Sequence, residues 1–261
     1  MKNSELKKAL AVAIRAAQAA GKLMRLNLRQ SKKVNAKTSY DIKLDLDVRC
    51  QKLIEQQLRR AFPKISLLGE EGDSGAINEQ YRWVVDPIDG TVNFAYGIPH
   101  ACVSIALQER TKKGDYQTAV GVIHDPFPDE TWTATTSDSA RLNGDIIRVS
   151  TRKELKECIV CVGFAKSRHS LNRALPHFLW MAKRVRKMRM MGAAALGLAY
   201  VASGRFDAYI ERGVSLWDVA AGGLIIERAG GKFWTEAIPG RQKIRMVASN
   251  GLIHSLLPLP R

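Results

Sequence analysis

The chain has 261 residues, 46% hydrophobic and 25% charged, which allows one large domain or two closely packed ones around a substantial core. No apolar run could cross a bilayer and no apolar leader precedes the first amphipathic segment, so we expect a cytoplasmic protein with no membrane partner. The formal net charge is +16, with an acidic segment at 61–140 between two basic flanks. These flanks would attract anionic substrates and could equally mark a nucleic-acid surface. Because the basic residues are interleaved through predicted helices rather than clustered with stacking aromatics, a generally basic solvated surface is favoured over a nucleic-acid one.

The first part of the chain predicts two helices and two short strands in alternation. Apolar residues recur every three or four positions over 4–29, which predicts a long amphipathic helix. Residues 41–47 alternate like a strand and end in a carboxylate that could cap a second helix at 48–60. After a strand at 65–68 come two adjacent carboxylates between glycines, at 69–72. Such a pair is either a solvated turn or a cation site.

Residues 83–94, Trp-Val-Val-Asp-Pro-Ile-Asp-Gly-Thr-Val-Asn-Phe, predict a buried strand that ends in a loop bearing two carboxylates. The proline and the glycine require the chain to turn there. Asp86 and Asp89 lie three residues apart on that turn, with the carbonyl of Ile88 between them, and hard oxygen ligands of this kind suit Mg²⁺. For the two aspartates alone, an Asp-Pro turn held by local hydrogen bonds is the alternative.

The middle of the chain predicts strands. Residues 101–107 and 118–124 form a hairpin-like pair, and 131–135 and 158–164 are further candidate strands, the last of them central in a sheet. In the last strand Cys158 and Cys161 lie three residues apart and therefore face opposite sides, which disfavours a zinc or redox pair. The few, unpatterned cysteines favour reduced thiols.

The C-terminal part predicts alternating helices and strands. A helix at 172–183 should bury Leu175, Phe178, Leu179 and Ala182, and the basic run 183–189 should be an exposed strand edge or helix end. A helix of small residues is expected at 192–204. A strand at 206–211 ends in Glu211, and a helix at 216–231 carries Asp218 in its first turn, where the helix dipole alone would favour it.

Three of these stretches resemble the inositol monophosphatase family, whose members are Mg²⁺-dependent, lithium-sensitive phosphatases of small phosphomonoesters. They are Asp-Pro-Ile-Asp-Gly-Thr-x-Asn-Phe at 86–94, Gly-Glu-Glu at 69–71, and Trp-Asp-x-Ala-Ala-Gly at 217–222 with a trailing Ala-Gly-Gly. The resemblance covers nearly the whole chain. The spacing of Asp86 and Asp89 differs from that in the haloacid-dehalogenase phosphatases, whose two aspartates lie two rather than three residues apart.

The resemblance implies a set of metal and catalytic residues. Glu70, Asp86, Asp89, Asp218 and the Ile88 carbonyl would bind two or three Mg²⁺ ions, and a metal-bound water would attack phosphorus without a phosphoenzyme. Thr91, Asp47 and Glu70 are the implied catalytic residues, with Asp47 holding Thr91 so that the pair positions the water. The chain departs from the family pattern before Asp47, where Lys43 and Leu44 replace Val-Thr while Asp41 stays in register, and Lys37 is expected near the metals.

The implied substrate is a small anionic phosphate ester. Its expected contacts are Asp89, Gly90, Thr91, Gly192, Ala194, Glu211 and Asp218, and Glu211 would bind substrate hydroxyls. Ala193 replaces the usual Ser or Thr after Gly192, which removes a hydroxyl but leaves the backbone N–H groups of a helix start for an anion.

The implied fold is α/β, a layered αβαβα sandwich of the inositol monophosphatase and fructose-1,6-bisphosphatase type. One unit would span 1–261, with a metal-binding α+β half over about 1–145 and an α/β half over 146–261. We expect a homodimer that hydrolyses inositol monophosphate or a similar polyol or sugar phosphate. The alternatives are fructose 1,6-bisphosphate, histidinol phosphate or 3′-phosphoadenosine phosphate as substrate, or an added role in binding RNA or the transcription machinery.

Overall fold

The computed structural model describes residues 1–31, 34–37, 42–75, 80–164, 168–240 and 243–259, without the side chains of 34–37, 42–43, 168–171 and 173. The predictions for Asp41 and for the Lys37 and Lys43 side chains therefore lie outside the described residues. Across the described ranges no helix has the length and apolar character needed to span a bilayer.

The predicted helices and strands are mostly present, with shifted ends. The described helices are α1 Asn3–Asn27, α2 Asp45–Ala61, α3 Thr91–Ala95, α4 Arg168–Ala182, α5 Ala194–Ala202 and α6 Leu216–Arg228. The strands are β1 Val34–Lys37, β2 Ile42–Leu44, β3 Ser66–Gly69, β4 Tyr81–Asp89, β5 Cys102–Arg110, β6 Tyr116–Asp125, β7 Glu130–Thr135, β8 Arg141–Leu142, β9 Asp145–Ile146, β10 Ile159–Phe164, β11 Lys187–Arg189, β12 Ala208–Val214, β13 Lys232–Ala237 and β14 Ile244–Ser249. Short 3-10 turns lie at Leu155–Glu157 and His254–Leu256.

A seven-stranded sheet has the order β3-β4-β5-β6-β7-β8-β9. The predicted hairpin is confirmed, since β5 and β6 pair antiparallel with Val103 opposite His124. Strand β3 runs parallel to β4, so that Gly69 lies beside Val85. The loop that carries Glu70 and the C-terminal end of β4 therefore lie at the same end of the sheet.

A five-stranded sheet has the order β11-β10-β12-β14-β13, with β10 parallel to both of its neighbours. The predicted strand at 158–164 is thus an interior strand. Cys158 and Cys161 pack in hydrophobic clusters on opposite faces of this sheet, and both are free thiols. The prediction that they form no metal or redox pair agrees with this geometry.

The two sheets alternate with three layers of helices. On one face of the first sheet α1 and α2 bury residues such as Ala13 and Ile54 against Val103. On its other face α5 and α6 fill the space between the two sheets. Helix α4 covers the outer face of the second sheet, where Met181 packs against Val160. The predicted αβαβα sandwich is confirmed.

The prediction for the face that α4 buries was largely wrong. Phe178 packs against the second sheet, but Leu175 and Leu179 are 45% and 56% exposed, and Ala182 is also exposed. Met181, one position from the predicted face, is the buried residue among the described side chains of this helix. Because apolar residues occur on several faces of this helix, periodicity alone could not select the one that packs.

Candidate active site

Strand β4 continues further than the sequence suggested. Its ladder with β5 is interrupted between Asp86 and Asp89, and the chain turns at Gly90, which has φ +88°. The Ile88 N–H donates to Asp86 Oδ1 at 3.0 Å, so the local Asp-Pro turn is also formed. This bulge directs Asp86 and Asp89 from a rigid strand end into the same region.

Asp89 is tied to the start of α5. Its Oδ1 accepts the Ala194 N–H at 3.0 Å and its Oδ2 accepts the Ala195 N–H at 2.7 Å. The Cys102 thiol, on the neighbouring strand, donates to Oδ2 at 3.6 Å. The helix-start donors predicted for a substrate anion therefore bind a carboxylate of the chain itself, which corrects the expected role of the Ala194 N–H.

Glu70 and Asp218 complete the acidic group. A hydrogen bond joins the side chains of Glu70 and Asp86. Asp218 lies in the first turn of α6 and accepts the Ser215 N–H at 2.6 Å, which caps the helix. Asp218 therefore both caps helix α6 and belongs to the acidic group.

These residues line one cavity of about 410 Å³ between the ends of the two sheets and the first turns of α5 and α6. Every charged side chain among the described residues of its lining is acidic. The lining also includes the predicted Ile88, Gly90, Thr91, Gly192 and Ala194. The acidic lining residues are Glu70, Asp86, Asp89, Glu211 and Asp218.

The carboxylates in this cavity repel one another. Burial and then the charge of Asp218 raise the pKa of Glu70 to about 8 and that of Asp89 to about 7, the latter despite its two backbone donors. Burial, followed by the charge of Glu70, holds the pKa of Asp86 well above its usual value. Burial also raises the pKa of Glu211 to about 7. A cavity of this kind favours a cation.

The donor set fits Mg²⁺ by its chemistry, because it consists of carboxylate and carbonyl oxygens. Among the described residues, however, no three His, Cys, Asp or Glu side chains are arranged so that they could already hold a metal ion. The hydrogen bonds explain this: Asp89 is held by α5, Asp218 by Ser215, and Glu70 and Asp86 by each other. To bind an ion, Glu70 and Asp86 would exchange the proton between them for metal contacts, whereas the carboxylates of Asp89 and Asp218 have further lone pairs beside those used by their N–H donors.

The expected hydrogen bond between Asp47 and Thr91 is replaced by other contacts. The Thr91 hydroxyl donates to the Ile88 carbonyl at 2.8 Å, and a hydroxyl has only one proton to donate. Asp47 lies inside α2 rather than before it, and its Oδ2 accepts the Leu44 N–H at 2.7 Å. Its charge nevertheless contributes to the raised pKa of Glu70, so Asp47 lies near Glu70 although it does not line the cavity.

Two residues of the cavity that adjoin Glu211 were missed from the sequence. Tyr209 donates a hydrogen bond from its hydroxyl to Glu211, and Gly163 lies opposite Glu211 on the neighbouring strand. Tyr209 precedes Glu211 by two residues in β12 and therefore shares its face, which the strand period could have revealed. The pairing with Gly163 depends on strand register and has no local sequence pattern.

Two sheets between three helical layers, with a carboxylate-lined cavity where the sheets end, define the class of layered α/β phosphoric monoester hydrolases. The profile of the inositol monophosphatase family matches residues 5–254, and the chain belongs to this family.

Named relatives and a solved structure agree with this assignment. The chain is 40% identical over 231 residues to the Nus factor SuhB of Xylella fastidiosa, covering 86% of this chain and 81% of the relative. It is 37% identical over 216 residues to the inositol-1-monophosphatase of Rhizobium meliloti, covering 82% and 79%. The crystal structure of the extragenic suppressor protein suhB from Bartonella henselae superposes with a TM-score of 0.86 at 33% identity, covering 94% of this chain and 95% of that one.

Proposed function

We propose that this protein is a Mg²⁺-dependent phosphatase of inositol monophosphate or a similar polyol phosphate. The observation that carries the proposal is the cavity whose charged lining, in the described residues, is entirely acidic. A phosphate monoester is itself anionic, so Coulomb repulsion would exclude it unless divalent cations entered with it. The Mg²⁺ dependence common in the family agrees with this requirement.

The ions would be held by Glu70, Asp86, Asp89, Asp218 and the Ile88 carbonyl. Bound Mg²⁺ would polarise the phosphoryl oxygens and lower the pKa of a water. Bonds to the α5 backbone fix the orientation of Asp89. Thr91 and Glu70 line the same cavity and are the candidates to orient the attacking water. The number of ions, two or three, is part of this proposal.

The choice of a polyol phosphate rests on Glu211. This carboxylate lines the cavity and can accept hydrogen bonds from hydroxyls of the alcohol group. The relative named inositol-1-monophosphatase supports the same choice. Fructose 1,6-bisphosphate, histidinol phosphate and 3′-phosphoadenosine 5′-phosphate stay as alternative substrates for the same site.

The test is phosphate release from these four classes of ester, with Mg²⁺ and with EDTA. We expect Mg²⁺-dependent release that is greatest for inositol 1-phosphate and falls at least about a hundredfold in Asp89→Asn, because a charged ligand is lost. Glu71→Gln is the matched control, since Glu71 is adjacent to Glu70 but is not among the residues that line the cavity. Release from none of the four substrates would reject the proposal.

A second proposed function is binding to RNA or the transcription machinery. It is supported by the relative named Nus factor SuhB and by the net charge of +16. Counterion release would make such binding strongly salt-dependent. An RNA mobility shift that weakens with salt and persists in Asp89→Asn would support a separate surface, and no shift at low salt would reject it.

The homodimer and the cytoplasmic location belong to the same set of proposals. Sedimentation at several protein concentrations would test the dimer, because a monomer would sediment at half the expected mass throughout. The family assignment is their support.

A further inference from the structure

Glu211 occupies space that only a glycine leaves open. It lies on β12 directly beside Gly163 of the parallel strand β10. A Cβ atom at position 163 would overlap the carboxylate of Glu211, so any other residue would push this side chain away. The carboxylate thus folds flat over strand β10 at the wall of the cavity, where both residues are exposed to a ligand.

A second contact fixes one oxygen of the same carboxylate. Tyr209 is 3% exposed, and its hydroxyl donates to Glu211 Oε2. The tyrosine ring packs on Gly197 of α5, where a Cβ would lie 2.7 Å from two ring carbons. A residue with a side chain at 197 would therefore displace the ring and its hydroxyl.

We propose that Gly163, Gly197 and Tyr209 form a cradle that positions Glu211 to select substrates by a hydroxyl of their alcohol group. With Oε2 engaged by Tyr209, Oε1 is left to accept the substrate hydroxyl. A site built to bond a hydroxyl disfavours analogues without one, because its buried acceptor then stays unsatisfied. The inference rests on the proposed phosphatase activity and on Glu211 as its proposed hydroxyl acceptor, and it adds the three residues that hold this carboxylate in place.

The test compares two substrates in Mg²⁺, inositol 1-phosphate and p-nitrophenyl phosphate, whose leaving group has no other hydroxyl. For Tyr209→Phe we expect the ratio of kcat/KM between them to fall about tenfold, mainly through a higher KM for inositol 1-phosphate, because a bond to a charged acceptor is lost. Gly163→Ala should lower the ratio further. In Glu211→Gln, adding Tyr209→Phe should cause little additional loss, since the two residues act together.

Tyr200→Phe is the matched control. It removes a tyrosine hydroxyl from α5 that contacts Arg205 rather than the cavity, and the substrate ratio should stay at the wild-type value. Retention of a Mg²⁺-induced increase in Tm would show that Tyr209→Phe folds with its metal site intact. If kcat/KM fell equally for both substrates, or for neither, the ratio would stay unchanged, and this result would reject the proposed cradle. If wild type releases phosphate from neither substrate, the phosphatase proposal fails first and the cradle fails with it.

Discussion

The buried aspartates Asp207 and Asp86 have opposite surroundings. Asp207 is fully buried, and its carboxylate accepts hydrogen bonds from Ser150 Oγ at 2.5 Å, Arg152 Nε at 2.6 Å and the Ile159 N–H at 2.7 Å. Asp86, in contrast, faces other carboxylates. The first arrangement stabilises the fold, whereas the second costs stability until a cation or protons compensate it.

Replacing Asp207 should therefore destabilise the protein without altering the active site. For Asp207→Ala we expect the free energy of unfolding to fall by about 3 kcal/mol, because three donors lose a buried acceptor. Denaturant titration would measure it. Glu154→Ala is the control: Glu154 pairs with Lys156 at 2.6 Å on the surface, so its loss should not be measurable. Similar midpoints for the two variants would contradict this account.

At the level of elements, sequence patterns predicted those parts that depend on local periodicity. The amphipathic helix α1, the β5–β6 hairpin and the small-residue helix α5 follow from spacing alone. The family resemblance placed Glu70, Asp86, Asp89 and Asp218, which the structure brings to one cavity. The patterns failed where packing or register decides, as in the buried face of α4 and the position of Gly163 beside Glu211.

Helix α6 connects the active site to the first sheet. It carries Asp218 at its start and packs on Gly121 of β6, where a Cβ would lie 2.7 Å from the Ala221 carbonyl oxygen. Helix and strand are thus in backbone contact. A side chain at this point cannot be accommodated by a rotamer change and must shift the helix.

We therefore expect Gly121→Ala to weaken Mg²⁺ binding although it lies outside the cavity. Unfolding free energy should fall by about 1–3 kcal/mol from overpacking, and titration calorimetry should show a higher Kd for Mg²⁺ because Asp218 moves with α6. Gln117→Ala, an exposed position on the same strand, is the control. An unchanged Kd in Gly121→Ala would show that α6 does not transmit the displacement.

At the level of the whole molecule, the net charge is +16 while the cavity is acidic, so we expect the protein to attract anions at long range and exclude them locally. Burial and neighbouring carboxylates raise the pKa values of Glu70, Asp89 and Glu211 to about 8, 7 and 7. At Glu211 the hydrogen bond from Tyr209 acts in the opposite direction and lowers the pKa. Their raised pKa values mean that the folded state holds protons more tightly than the unfolded state does.

The metal-free protein should consequently lose stability as pH rises. A carboxylate whose pKa is raised on folding contributes its full stability below its unfolded pKa, near 4, and that contribution is lost as pH rises through about 8. Mg²⁺ needs the deprotonated carboxylates, so its stabilising effect should increase over the same range. The measurement is Tm in EDTA and in excess Mg²⁺, from about pH 5.5 to about pH 8.5.

The matched pair Glu70→Gln and Glu71→Gln separates the cavity from the general surface in this experiment. Glu70→Gln removes a titrating group and its repulsion, so Tm in EDTA should fall less steeply with pH and the gain from Mg²⁺ should shrink. Glu71→Gln should change the slope and the gain much less, because Glu71 does not line the cavity and its charge is the smallest of those that raise the pKa of Glu70. If both variants behaved alike, the pH dependence would arise outside the cavity, and metal binding and folding would be coupled more weakly than the geometry of these carboxylates requires.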